Sequence, residues 1–167
     1  RQYVDSQLNF LEVKTKNNHG KTSKKRIATS RCPMAAHNDH FRLCEDSEAK
    51  GFLDHALRIN PLQLDRKLEN HFHRITLVNK AKTERLTIDT GLSFYNLSTS
   101  RSCSLAHIAI IELKRDGLQP SPILAMLRQL RIMPSGFSKY CIGEALTNPD
   151  LRQNRFKTRI RKIMKIS

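Results

Sequence analysis

Three segments of this sequence place polar, mostly charged residues at every second position. Glu12, Lys14 and Lys16 fall on one side of an extended chain, Arg85, Thr87 and Asp89 on one side of another, and Glu112 and Lys114 on one side of a third. The residues between them are mostly apolar: Leu11 and Val13, Leu86 and Ile88, Ile111 and Leu113. A side-chain period of two belongs to a β-strand, so each segment is expected to be a strand with an apolar and a charged side. One such strand alone reads as a sheet facing water. Several together, each mixing Lys or Arg with a carboxylate, read as the lining of a closed or nearly closed barrel with helices outside. Cations gathered there bind phosphate oxygens, and a carboxylate among them holds a divalent metal that bridges those oxygens. Without an anion such a crowd of like charges would repel itself, so the pattern asks for an anionic ligand.

These strands need partners and connections. Residues 1–16 and about 21–29 are expected to pair as a hairpin across Asn17-Asn18-His19-Gly20, the return strand carrying Lys21, Lys24, Lys25 and Arg26. A polar stretch runs to about residue 46. Ser47 reads as the cap of a helix with Phe52, Leu53, Ala56 and Leu57 on one face, and Asn60-Pro61 opens a short helix with Leu62 and Leu68. Strands follow at about 71–79 and 84–90, joined by a turn at 79–82. Residues 105–114 form the strongest strand signal. Ser121-Pro122 caps a helix carrying Ile123, Leu124, Leu127 and Leu130, and 134–143 reads as a loop followed by a short apolar segment. From Asn148-Pro149 a basic helix is expected, with Arg152, Arg155, Lys157, Arg159, Arg161, Lys162 and Lys165 around a stripe of Phe156, Ile160 and Ile163. The fold class is α+β, antiparallel strands with helices inserted between them.

Composition limits the partners. Thirty Lys and Arg against fifteen Asp and Glu give the 167 residues a formal charge of +15, a field that attracts polyanions. Nucleic acid fits less well, because the ten aromatics (seven Phe, three Tyr) are not interleaved with the basic clusters as base stacking requires. Cys32, Cys44, Cys103 and Cys141 form no C-x-x-C pair and read as reduced thiols of a cytoplasmic protein. His71 and His73 lack a carboxylate or Cys partner at metal-site spacing. No apolar run is long enough to span a membrane, and nothing reads as a signal peptide.

Six motifs in register carry a family resemblance over residues 1 to about 145. Leu11-Glu12-Val13-Lys14-Thr15-Lys16 and Gly20-Lys21-Thr22-Ser23-Lys24-Lys25-Arg26 come first, then Phe72-His73-Arg74-Ile75 and Glu84-Arg85-Leu86-Thr87-Ile88-Asp89-Thr90. Ile111-Glu112-Leu113-Lys114 and Phe137-Ser138-Lys139-Tyr140-Cys141-Ile142-Gly143 complete the series. Together they resemble the vacuolar transporter chaperone (VTC) domain, a polyphosphate polymerase family of the triphosphate tunnel metalloenzymes. The resemblance implies an antiparallel β tunnel in which the γ-phosphate of ATP passes to a growing polyphosphate chain with Mn²⁺ or Mg²⁺. It implies phosphate-handling roles for Lys14, Lys25, Arg74, Arg85 and Lys139, substrate contacts for Arg1 and Ser138, and metal ligation by Glu112. Lys114 is a further candidate cation of the lumen.

Relatives carry a preceding segment with further strands and the first arginine of an R-x-R pair, whose last arginine would be Arg1. The domain, residues 1–147, is thus expected to lack its N-terminal strands, with a partner chain as one way of completing the tunnel. Residues 148–167 are expected as a separate basic amphipathic helix that docks on its own domain or lies on an anionic membrane surface. Phe72 stands where relatives often place Tyr. Two other functions compete with the polymerase: a tripolyphosphatase or nucleoside triphosphatase of the same superfamily, and a non-catalytic binder of polyphosphate or nucleic acid.

Overall fold

The computed structural model of the protein describes residues 1–29, 47–117 and 120–165. The polar stretch up to residue 46, with Cys32 and Cys44, lies outside them. The chain divides into two compact units, Arg1–Asp65 and Arg66–Ser167.

In the first unit β1 (Gln2–Tyr3), β2 (Leu8–Lys16) and β3 (Thr22–Ala28) form an antiparallel sheet in that order. The β2–β3 turn is the expected one. Gly20 takes φ +79°, and the Asn17 side chain accepts a hydrogen bond from the Lys21 amide at 2.8 Å. Helix α1 (Ser47–Ala56) starts at the predicted residue, buries Ala49 and Leu53, and contacts β2 and β3. Pro61–Gln63 makes only a single 3-10 turn, and Leu68 belongs to the next strand rather than to a helix.

The second unit is built on β5 (Glu84–Asn96), which pairs with β4 (Leu68–Val78) along one edge. Its other edge is shared end to end by β6 (Arg101–Leu105) and β7 (Ile110–Arg115). The apolar run 105–114 is therefore two strand pieces, not one. Between the pairs Leu92↔Leu105 and Asp89↔Ile110, residues 106–109 loop out against only two residues of β5. Asn79 shapes the β4–β5 turn, its side chain accepting from the Glu84 amide at 3.0 Å and donating to Thr83 Oγ1 at 2.9 Å.

A bulge decides what β5 presents. The β4–β5 register shifts between His71 and His73, leaving Gly91 and Leu92 opposite Phe72, with Gly91 at φ +62°. The extra residue reverses the alternation. The face that begins with Arg85, Thr87 and Asp89 continues as Leu92, Phe94 and Asn96. One face of one strand is thus charged at one end and apolar at the other.

Helix α3 (Lys139–Thr147) contacts β4, β5 and β6, and the core gathers there: Leu92, Phe94, Leu105 and Ile142 with Ile163 of α4 (Lys157–Met164). The expected loop and short apolar segment at 134–143 is in fact the entry to this helix. Ser138 caps it, its Oγ accepting from the Cys141 amide at 3.3 Å. Gly143 permits the close approach, since a Cβ there would lie 2.5 Å from both Leu68 Cδ2 and Phe94 Cδ1. Asn96, fully buried, ties the strand end down: it donates to Glu144 Oε2 (3.2 Å) and Thr147 Oγ1 (3.1 Å) and accepts from the Ser98 and Thr99 amides. α2 (Pro122–Gln129) has its predicted cap, Ser121 Oγ accepting from the Leu124 amide at 3.0 Å, but Leu130 falls beyond its end and is exposed.

One expectation about packing changes. The core was expected on the apolar side of the charged strands, yet Ile75, Leu77 and Ile111 on that side are exposed, because the bulge moves the buried apolar residues onto the charged face. The basic tail is helical only from Lys157, and its stripe of Phe156, Ile160 and Ile163 packs into the core. His107 in the 106–109 excursion reaches the Ile163 carbonyl at 3.3 Å. No helix among the described residues is long and apolar enough to cross a membrane. The α+β class with antiparallel sheets holds, and among the described residues both sheets are open.

Candidate functional site

The charged half of the second unit's sheet is assembled by strand register. Arg74 and Asp89 are direct cross-strand partners, and Arg85 lies opposite Lys114, with Thr87 opposite Glu112. Pairs across antiparallel strands share a face. Arg74, Asp89, Arg85, Lys114, Thr87 and Glu112 therefore stand together on the face whose other end is covered by α3.

At the boundary between the two halves lies a charge cluster. Arg74 grips Asp89 with two bonds, Nε to Oδ1 at 2.6 Å and a terminal nitrogen to Oδ2 at 2.7 Å. Lys139, first residue of α3, donates to the same Oδ2. The Phe72 ring lies beneath both cations, 5.1 Å from the Arg74 guanidinium carbon and 4.4 Å from Lys139 Nζ. The Asp89 side chain is 2% exposed, those of Arg74 and Lys139 24% and 21%. Burial pushes the Asp89 carboxyl up, but the hydrogen bonds and charges of Arg74 and Lys139 outweigh it and hold the group below its ordinary value. Asp89 stays ionised, so the trio carries one net positive charge.

Toward the open end the face is wetter. Arg85 is exposed, and Glu112 is half-exposed with Lys114 3.4 Å away. Ser138 is exposed at the cap, its oxygen engaged by the helix it starts. Thr87 Oγ1 is buried and finds no hydrogen-bond partner.

The first unit carries a second charged face, on the hairpin. Glu12 is surrounded by Lys24 at 2.6 Å and by Arg1 and Lys14, each at 3.9 Å. Burial raises its carboxyl, and these three cations more than reverse that. Register separates two residues that the resemblance joins. Lys14 pairs with Lys24, whereas Lys25 pairs with Val13 and lies on the opposite face. On β3 it is Lys24 and Arg26 that share a face with Lys14, Arg26 stacking 4.9 Å from the Phe10 ring centroid.

The arrangement of six motifs and the alternation that produces these faces extend over most of the chain, and residues 1–148 match the family described as the VTC domain. The chain belongs to the VTC domain family. No curated protein and no solved structure matches it. The VTC match ends at residue 148, so α4, which supplies Ile163 to the core, lies beyond it.

Within this VTC domain, sequence reasoning placed Asp89 on the charged face but gave it no role. Its partnership with Arg74 and Lys139 joins residues 15 and 50 positions away, which no local spacing reveals. Lys24 was likewise passed over for its neighbour, and only the hairpin register separates the two. Among the described residues no group of three or more His, Cys, Asp or Glu side chains lies together. Glu112 is the carboxylate with access to solvent on the site face. A single exposed carboxylate with no histidine or cysteine grouped with it among the described residues suits Mg²⁺ or Mn²⁺ better than a nitrogen- or sulfur-seeking metal, since these ions take most of their oxygens from water and substrate phosphates.

Proposed function

We propose that this chain handles the triphosphate of ATP on the charged sheet face and passes the γ-phosphate to the end of a polyphosphate chain. The observation that supports the reading most directly is the row of cations on one face, Arg74 and Lys139 around Asp89 followed by Arg85 and Lys114. An extended row of cations suits a linear polyanion better than a single anion pocket would.

In the reaction a terminal phosphate oxygen of the acceptor attacks the γ-phosphorus, the bond from that phosphorus to the β–γ bridging oxygen breaks, and ADP leaves. The attacking oxygen is already anionic, so no side chain has to remove a proton. The protein's contribution is alignment and neutralisation. Arg74 and Lys139 bind equatorial oxygens of the transferred group, their positions fixed by Asp89 and the Phe72 ring. Lys139 lies at the start of α3, where the helix N-terminus also favours negative charge. Arg85 and Lys114 carry the neighbouring phosphates. Glu112 would hold a divalent ion, and the chemistry such an ion would supply there is further neutralisation of phosphate charge. Since the apolar stripe of α4 packs into the core, what α4 offers an anionic lipid surface or a polyphosphate is its exposed cations, Lys157, Arg161 and Lys162, with Lys165 just past its end.

Incubation with γ-labelled ATP and Mn²⁺, with and without a short polyphosphate primer, tests the reading, with Glu112→Ala as control. Label in long acid-insoluble polymer that disappears in the variant is the expected result. Glu112-dependent release of free phosphate without polymer would make the chain a hydrolase instead. Neither product, with polyphosphate still bound, would leave a binding protein.

A further inference from the structure

We propose that Asp89 is a positioning residue for phosphate: its buried carboxylate holds Arg74 and Lys139 as one fixed pair and cancels one of their two charges. The inference rests on the phosphate-handling reading above and adds a residue to it.

The carboxylate is too deeply buried to meet an anion itself, at 2% exposure, and so acts through the two cations, which stay accessible. Those cations come from elements far apart in the chain, a strand residue and the first residue of α3. Two like charges drawn over one Phe72 ring repel each other unless a counter-charge lies between them, and Asp89 occupies that place. Helix stability does not explain Lys139, because a cation at a helix N-terminus opposes the dipole. The arrangement costs the helix something, and the benefit falls at the site. A polymer that advances one phosphate per cycle must be held and then released. A pair carrying net +1 holds a phosphate less tightly than one carrying +2, and a pair fixed in advance needs less reordering when the anion arrives.

The test is calorimetric titration of the full chain with tripolyphosphate, together with the steady-state kinetics of ATP turnover. Asp89→Asn keeps the shape and removes the charge. It is expected to bind tripolyphosphate roughly tenfold or more tightly, from the loss of one nearby negative charge, while kcat falls and KM falls with it. A merely structural role would weaken binding and raise KM. Lys139→Met leaves Arg74 neutralised by Asp89 and should bind far more weakly, and adding Asp89→Asn to it should restore part of that loss.

Wild-type binding that depends on Lys139, with Asp89→Asn equal to or weaker than wild type, would overturn the role of Asp89 alone. No tripolyphosphate binding by the wild type, or binding indifferent to Lys139→Met, would overturn the phosphate reading and this proposal with it. Should Asp89→Asn fail to fold, the double variant decides: tighter binding than Lys139→Met supports the proposal, and anything else, unfolding included, overturns it.

Discussion

Asp89 and Glu12 are the acidic centres of their respective units, and each is held ionised by the cations around it. A carboxyl whose folded pKa is depressed stabilises the fold above its unfolded value, and that contribution is lost as pH falls through the folded one. Urea denaturation should therefore show the wild type losing stability below about pH 4. Asp89→Asn should lose less over the same interval, and equal losses would mean that other groups control the acid limb. The hairpin makes a second residue-scale prediction. Lys14 shares the charged face with Glu12 and Lys24, and Lys25 points the other way. Lys14→Ala should weaken tripolyphosphate binding several-fold and Lys25→Ala by less than about twofold, since an exposed charge on the far face is screened. The opposite order would place the working face on the Val13 side.

The elements differ in how openly the sequence announces them. The turn at 17–20, the start of α1 at Ser47 and the cap at Ser121 rest on local chemistry and were legible, because a Gly at positive φ and, at Ser121, a serine oxygen on a helix amide need nothing from the rest of the chain. Helix α3 was not legible. Its first residues, Ser138-Lys139-Tyr140, read as a loop, and its stability comes from contact with β4 and β5 rather than from helix propensity. Gly143 marks that contact. In an exposed helix Gly is a poor choice, but here a side chain would collide with Leu68 and with Phe94, which is buried and cannot yield. Gly143→Val should lower stability by about 1–3 kcal/mol in a denaturant titration. Asn96→Ala should cost about 1–3 kcal/mol as well, since it leaves buried groups of Glu144 and Thr147 without their partner. A variant of either residue as stable as wild type would show that α3 is not fixed where these contacts place it.

The two units stand on very different cores. Among the described residues the buried apolar side chains of the first are Ala49, Leu53 and Pro61, whereas the second buries Leu92, Phe94, Leu105, Ile142, Ala145 and Ile163. Hydrogen exchange should find the amides of β5 the slowest in the molecule and those of β2 and β3 exchanging well before them. Uniform protection would contradict that difference. The net charge of +15 acts on the molecule as a whole. Raising salt from about 50 mM to about 500 mM should weaken polyphosphate binding by roughly tenfold or more as the field is screened. A flat response would confine recognition to short-range contacts.

What the sequence determined by itself was the kind of chemistry and the strands that carry it. Alternation is a property of neighbouring residues, so Arg85-Thr87-Asp89 and Glu112-Lys114 declared a charged face without help, and motif order declared the family. Only the tertiary structure decided which charges meet. A register is a relation between strands: it separated Lys25 from Lys14 and set Arg74 against Asp89. The bulge at Gly91 adds one residue to β5 and so turns Leu92, Phe94 and Asn96 onto the face that Asp89 began, which put the core and the site side by side on one sheet surface. A shift of one residue changes little in a sequence pattern, and in a sheet it reverses every side chain beyond it.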